Sequence, residues 1–97
     1  MAEQSAKEMA EHYEKLTGKA LKKVRIAVPK QSFLFGIASD FLEMARNYHS
    51  DAVYFKKKKE YATSLAAFSY AHAWLDAGAR MGFFETKGDY VLFTQFR

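Results

Sequence analysis

The sequence predicts an all-α fold, an antiparallel up-and-down bundle of three helices with an extended C-terminal tail. The 97 residues contain one proline and five glycines, too few breakers for many short strands. Apolar residues instead recur at steps of three and four along three long segments, which is the spacing of amphipathic helices. Aromatic residues form 16% of the chain and supply the large side chains that a core this small needs.

The chain has the length of one domain. We expect residues 1–88 to form the bundle and residues 89–97 an extended tail that can pair as a β-strand. The predicted helices cover about residues 5–27, 32–57 and 61–81.

The first helix is predicted from a capping box at Ser5–Glu8, whose two end side chains would satisfy backbone donors of the first turn. Its glutamates lie near its start and its lysines near its end, which complements the helix dipole. Pro29 should end the element, because a residue before proline avoids helical angles. The apolar stripe is Met9, Tyr13, Leu16, Ala20, Val24 and Ala27.

The second helix should begin after Ser32, whose side chain can cap it. Five consecutive charged residues interrupt its apolar stripe, and we predict a turn there. The alternative is one continuous helix of about fifty residues, roughly 75 Å long. The five residues are Lys56, Lys57, Lys58, Lys59 and Glu60.

The third helix carries two apolar stripes, which predicts burial on two sides and a central place in the bundle. The first is Tyr61, Leu65, Phe68, His72, Leu75 and Ala79; the second is Ala67, Tyr70, Trp74, Ala77 and Met81. Gly82 suits the left-handed position after a helix end, with Phe83 as the accompanying apolar contact.

The tail follows a predicted turn at Lys87-Gly88-Asp89 and consists of strand-forming residues from Tyr90 to Phe96. A lone strand cannot satisfy its own backbone. The tail must therefore pack on its own bundle, pair with a second copy, or pair with another protein.

Two segments, Asn47–Phe55 and Ser69–Gly82, carry the patterns N-Y-x-x-D-A-x-Y-F and Y-A-x-x-W-L-D-A-G-x-R-x-G. They resemble an archaeal family catalogued as domain of unknown function number 357. The resemblance implies an up-and-down three-helix bundle and no assigned activity. The chain departs from the family pattern at Lys59-Glu60, where a turn with glycine is usual, and at Ala73, where a glycine is common.

The candidate binding residues of the third helix are His72, Asp76 and Arg80, which follow one another at steps of four. We interpret them as a polar network that orients the helices, with Asp76 and Arg80 as an ion pair. Asp51 lies between Tyr48 and Tyr54, and we expect it to form a hydrogen bond with a tyrosine or histidine across the bundle.

Two catalytic interpretations compete with this one. Ser69, His72 and Asp76 have the letters of a hydrolytic triad, but a rigid helix offers no oxyanion hole. His72 and Asp76 could bind a metal if His49 or Asp51 supplied a third ligand. We predict no catalytic residue, no metal and no cofactor.

The basic candidates are Lys56, Lys57, Lys58 and Lys59, in a chain with a net charge of +4. Together with the basic end of the first helix they could bind the phosphates of RNA or DNA. A lysine run at a turn is more often a solvated surface.

The sequence thus favours a non-enzymatic protein-binding or scaffolding module that acts through its helix faces and residues 90–96 and associates with another protein or itself. An accessory protein for RNA or DNA is the alternative, and an enzyme is the third choice. The chain lacks cysteine, a secretory apolar stretch and a membrane span, so we expect a cytoplasmic protein.

Overall fold

Three helices account for most of the computed structural model, which describes residues 2–85, with side chains from Ser5 onward. The all-α prediction is confirmed. The tail predicted for residues 89–97 lies outside the described part. The elements are α1 (Ala2–Lys23), β1 (Arg25–Ile26), α2 (Phe33–Lys57), α3 (Tyr61–Arg80) and β2 (Phe84–Glu85).

The first helix begins earlier and ends earlier than the sequence predicts. Since α1 starts at Ala2, Ser5 lies inside the helix and the capping-box prediction is wrong. The helix ends at Lys23, not near residue 27, because the next residues form backbone hydrogen bonds with another segment. The side chain of Arg25 caps the end of the helix: its Nη1 donates to the carbonyls of Lys22 and Val24 at 3.1 and 2.8 Å.

The segment after α1 forms a two-stranded antiparallel sheet that the sequence did not predict. Ile26 of β1 pairs with Phe84 of β2, and the Ala27 N–H donates to the Phe83 carbonyl at 2.7 Å. The ring of Phe84 packs on α3 at Gly78, where an added Cβ would lie 2.1 Å from a ring carbon. Only glycine at position 78 leaves room for this contact.

Both predicted boundaries of α2 are confirmed. The Ser32 hydroxyl accepts a hydrogen bond from the Leu34 N–H at 3.1 Å, and the helix ends at Lys57. The turn that follows places Lys59 in the left-handed region at φ 63°. The Glu60 N–H donates to the Phe55 carbonyl at 2.9 Å, as in a Schellman motif. Lysine here occupies the position that usually holds glycine.

The end of α3 shows the same motif with the expected residue. Gly82 has φ 79°, and the Phe83 N–H donates to the Gly78 carbonyl at 2.9 Å. Phe83 is buried and its ring lies 5.2 Å from that of Phe41. The predicted glycine cap is therefore confirmed.

The core consists of two apolar clusters, and α3 contributes to both. Near one end of the bundle, Ala10 packs with Ala52 and Phe68. Near the other end, Val24 clusters with Ala38 and Leu75, among others. These contacts join the first part of α1 to the last part of α2, an order typical of neighbouring helices that alternate in direction.

The prediction that α3 is buried on two sides is only half correct. Phe68, His72 and Leu75, from the first stripe, are buried. In the second stripe, however, Tyr70 is 60% and Met81 is 64% exposed. In a bundle of three helices each helix touches two neighbours, so part of its surface stays uncovered. Here the uncovered part of α3 is largely apolar.

Candidate functional site

A buried polar contact joins α1 to α3 at the predicted residue His72. The Thr17 hydroxyl oxygen lies 3.1 Å from His72 Nδ1, and the Thr17 side chain is completely buried. One turn further along α3, an Asp76 carboxylate oxygen lies 3.7 Å from His72 Nε2. The hydroxyl of Thr17 can both donate and accept, so it can pair with Nδ1 in either tautomer of the imidazole. We call these three residues the polar column.

The polar column has the order hydroxyl, imidazole and carboxylate that is found in hydrolase triads. Its hydroxyl, however, has no exposed surface through which a substrate could reach it. Thr17 lies within α1, where the backbone N–H groups are used by the helix. The arrangement can fix the register of α1 against α3, but it offers no route to a substrate.

Ser69, the hydroxyl that the sequence pattern placed beside His72, is not part of the polar column. It is exposed, and its Oγ donates to the Leu65 carbonyl one turn earlier at 2.9 Å. Nothing in the spacing of α3 could identify Thr17, because this residue lies 55 positions before His72 in the sequence. The predicted ion pair between Asp76 and Arg80 stays a prediction.

The second-helix candidates lie elsewhere. Asp51 is exposed and makes no hydrogen bond with any residue that the structure describes, so the predicted bond across the bundle is wrong: the side chain faces solvent. Tyr48 is half-buried and stacks on Tyr70 with ring centres 5.4 Å apart.

The metal-binding interpretation needs a third ligand near His72 and Asp76. Within residues 2–85 no group of three or more His, Asp or Glu side chains comes together. His49 instead packs edge-on against Phe68 at 5.3 Å. Its Nε2 is buried without a hydrogen-bond partner in the described part of the chain, facing the bare backbone of Gly18.

The four predicted lysines have different environments. Lys56 Nζ donates to a Glu14 carboxylate oxygen at 2.6 Å, and this hydrogen bond raises the pKa of Lys56 above its ordinary value of 10.5. Lys58 lies 5.5 Å from the centre of the Tyr54 ring. Lys57 and Lys59 are exposed.

The lysine run and the basic end of α1 do not form one surface. Val24, just after that end, clusters with Ala38, and Lys56 lies 18 residues beyond Ala38 on the same helix. At 1.5 Å per residue, the two basic regions are roughly 27 Å apart.

An apolar groove lies between α2 and α3. It is lined by Phe41, Tyr70, Ala73, Trp74 and Ala77, and has a volume of about 290 Å³. No lining residue is charged. The Phe41 and Trp74 rings meet edge-to-face, 4.9 Å apart, and so fix the shape of the groove.

The sequence did not predict this groove, because Tyr70, Trp74 and Ala77 belong to an apolar stripe that was expected to be buried. The signal was present in the pattern: a helix with two apolar stripes has more apolar surface than two neighbouring helices can cover. The apolar residues that remained uncovered form the groove.

None of the described helices is both long and apolar enough to cross a bilayer. Residues 12–84 match the sequence model of a family described as protein of unknown function (DUF357). Since the match covers more than half of the chain, the protein belongs to this family. Neither the curated proteins nor the solved structures contain a match, and the archaeal origin stays a prediction.

Proposed function

We propose that this member of the DUF357 family is a non-enzymatic protein-binding module, and that the groove between α2 and α3 is its binding surface. The observation that carries the proposal is an apolar, uncharged groove on the outside of a small bundle in which the candidate residues His72 and Lys56 contact Thr17 and Glu14 of another helix. Exposed apolar patches on such domains commonly serve as interaction sites.

The chemistry of the groove supports one kind of partner, an apolar segment of another polypeptide. The groove is lined by the aromatic rings of Phe41 and Trp74 and by the methyl groups of Ala73 and Ala77. A charged ligand would lose hydration there without finding an opposite charge. Tyr70 also lines the groove and is largely exposed, and a tyrosine hydroxyl can pair with the backbone of a bound segment.

The environment of the candidate catalytic groups supports a non-enzymatic role. Catalysis needs a nucleophile or base within reach of substrate. Thr17 is fully buried and His72 nearly so. Their contact explains the polar column as a link between helices.

The nucleic-acid alternative has less support from the charges. Glu14 offsets the charge of Lys56, and the remaining lysines of the turn lie far from the basic end of α1. Binding to RNA or DNA is therefore the alternative that the experiment below also tests. The absence of cysteine also leads us to propose a cytoplasmic location.

Selection of a random-sequence peptide library on the full chain tests the proposal. The selected peptides should be apolar and aromatic, and Ala73→Arg, which places a long cation in the groove, should weaken their binding at least about tenfold. Ala66→Arg is the matched control, because Ala66 is exposed on the same helix but does not line the groove.

Peptides that bind both variants equally, or no enrichment at all, would overturn the proposal. A random-sequence oligonucleotide, titrated at low and moderate salt, serves as the second arm. Tight binding that falls with salt and is lost on replacing Lys57 and Lys59 by glutamine, with no peptide enriched, would support the nucleic-acid alternative instead.

A further inference from the structure

We propose that residues 90–96 of the same chain occupy the groove in the free protein, so that a partner must displace them. This inference rests on the proposed function and deepens it, since an internal ligand also states the chemistry of the partner: an uncharged segment rich in aromatic and branched apolar residues.

The described chain ends next to the groove. Phe83 packs on Phe41 at 5.2 Å, and Phe41 lines the groove. The last described residue, Glu85, follows two positions later and is held by β1 through its pairing with Arg25. Because β2 is antiparallel to β1, the chain after Glu85 continues beside the end of α1, a few residues beyond the contact of Phe83 with the groove residue Phe41.

The remaining chain is long enough. Residues 86–97 follow Glu85, and an extended chain advances about 3.3 Å per residue, so seven residues cover roughly 23 Å. The groove residues of α3 run from Tyr70 to Ala77, roughly 10 Å along the helix axis. Lys87-Gly88-Asp89 has the composition of a turn, which would direct the chain back toward the bundle.

The composition of the segment matches the groove. Residues 90–96 read Tyr-Val-Leu-Phe-Thr-Gln-Phe and contain no charged side chain. The groove residues contain none either. The aromatic and branched apolar side chains of this segment would leave water on entering the groove, which favours binding there.

Intramolecular binding is favoured over exchange with a second copy. A short connection gives the tethered segment an effective concentration in the millimolar range, well above ordinary cellular concentrations of a protein. The connection from Glu85 to Tyr90 is only a few residues long. The segment of the same chain should therefore fill the groove first.

Trp74 reports on the occupancy of the groove, because it is a groove residue and the only tryptophan. In the full chain, the double variant Leu92→Asp/Phe93→Asp should shift its emission to longer wavelength and increase acrylamide quenching about twofold or more. Thr86→Asp is the matched control, since it adds an acidic group outside residues 90–96 and should leave both signals unchanged. Circular dichroism checks that the helices remain folded.

Unchanged Trp74 emission and quenching in the double variant would overturn the inference. Light scattering provides the second readout: a monomer whose Trp74 is shielded supports occupation by the same chain, whereas a dimer that the double variant dissociates overturns it in favour of a second copy. A synthetic peptide of residues 90–97, added to the double variant, should restore the shielding.

The library peptides separate this inference from the proposed function. If the segment shields the groove, the double variant should bind the selected peptides several-fold more tightly than the unmodified chain. Peptide binding with no change in the Trp74 signals would support the proposed function but contradict occupation of the groove by residues 90–96. Shielding of Trp74 without any peptide binding would contradict the proposed function but not the occupation of the groove by residues 90–96.

Discussion

The two faces of α3 present opposite chemistry to their surroundings. The inner face buries the imidazole of His72 next to Phe68 and Leu75. The outer face exposes Tyr70, together with Ala73. In most amphipathic helices the titratable group faces water and the apolar groups face the core. In α3 this arrangement is reversed, since the imidazole of His72 is buried and the side chains of Tyr70 and Ala73 are exposed.

The largest expected difference between the two faces comes from two aromatic truncations. Phe68 is fully buried and Tyr70 is 60% exposed. Phe68→Ala should lower the free energy of unfolding by about 3–5 kcal/mol, since it leaves a cavity in the core. Tyr70→Ala should lower it by less than about 1 kcal/mol, mainly through the lost stacking on Tyr48. Urea unfolding measures both, and equal losses would contradict the description of the two faces.

The polar column should show an intermediate effect. Thr17→Val keeps the shape of the side chain but removes the hydroxyl that lies 3.1 Å from His72 Nδ1. Leaving this buried nitrogen without its partner should cost about 1–3 kcal/mol. Thr63→Val is the matched control, because Thr63 is exposed on α3 and should change stability by less than about 0.5 kcal/mol. A neutral Thr17→Val variant would show that the hydroxyl does not link the helices.

The smallest effect concerns the pair of Lys56 and Glu14. Because its side chains are 29% and 31% exposed, the pair should contribute under about 1 kcal/mol. Glu14 raises the pKa of Lys56 above 10.5, so the contribution is fully present below that pH and is lost as the pH rises through the folded-state pKa.

The comparison of wild type with Lys56→Gln, by urea unfolding at about pH 9 and about pH 11.5, measures this contribution. The difference between the two proteins should be larger at the lower pH. A difference that grows at the higher pH would contradict the assigned direction of the pKa. Using the difference removes the titration of tyrosines other than Tyr61, whose charge also raises the pKa of Lys56.

Sequence patterns predicted most features of the fold that depend on neighbouring residues, although not the start of α1, where Ser5 lies inside the helix. The cap at Ser32, the turn after Lys57 and the glycine at position 82 each depend on a hydrogen bond within a few positions, and each is confirmed. The β1–β2 pairing joins Ile26 to Phe84. Long-range pairing of this kind leaves no periodic signal in so short a strand, so it was missed and the end of α1 was placed too late.

The candidate site was predicted less well for the same reason. His72 was identified, but its partner Thr17 belongs to another helix and could be found only after α1 was placed against α3. The groove required knowing which part of α3 each neighbour covers. The apolar stripes predict how much apolar surface α3 carries. They do not predict which part of that surface the neighbouring helices bury.

The connection between β1 and β2 also has a consequence for the order of folding. Helices α2 and α3 are adjacent in the sequence, so they can form a hairpin after closing a short loop, whereas the pairing of Ile26 with Phe84 closes a loop of nearly sixty residues. We therefore expect the hairpin to dominate the folding nucleus, with α1 docking late. Destabilising changes at Val24 or Ile26 should chiefly accelerate unfolding, while those at Phe68 should also slow refolding.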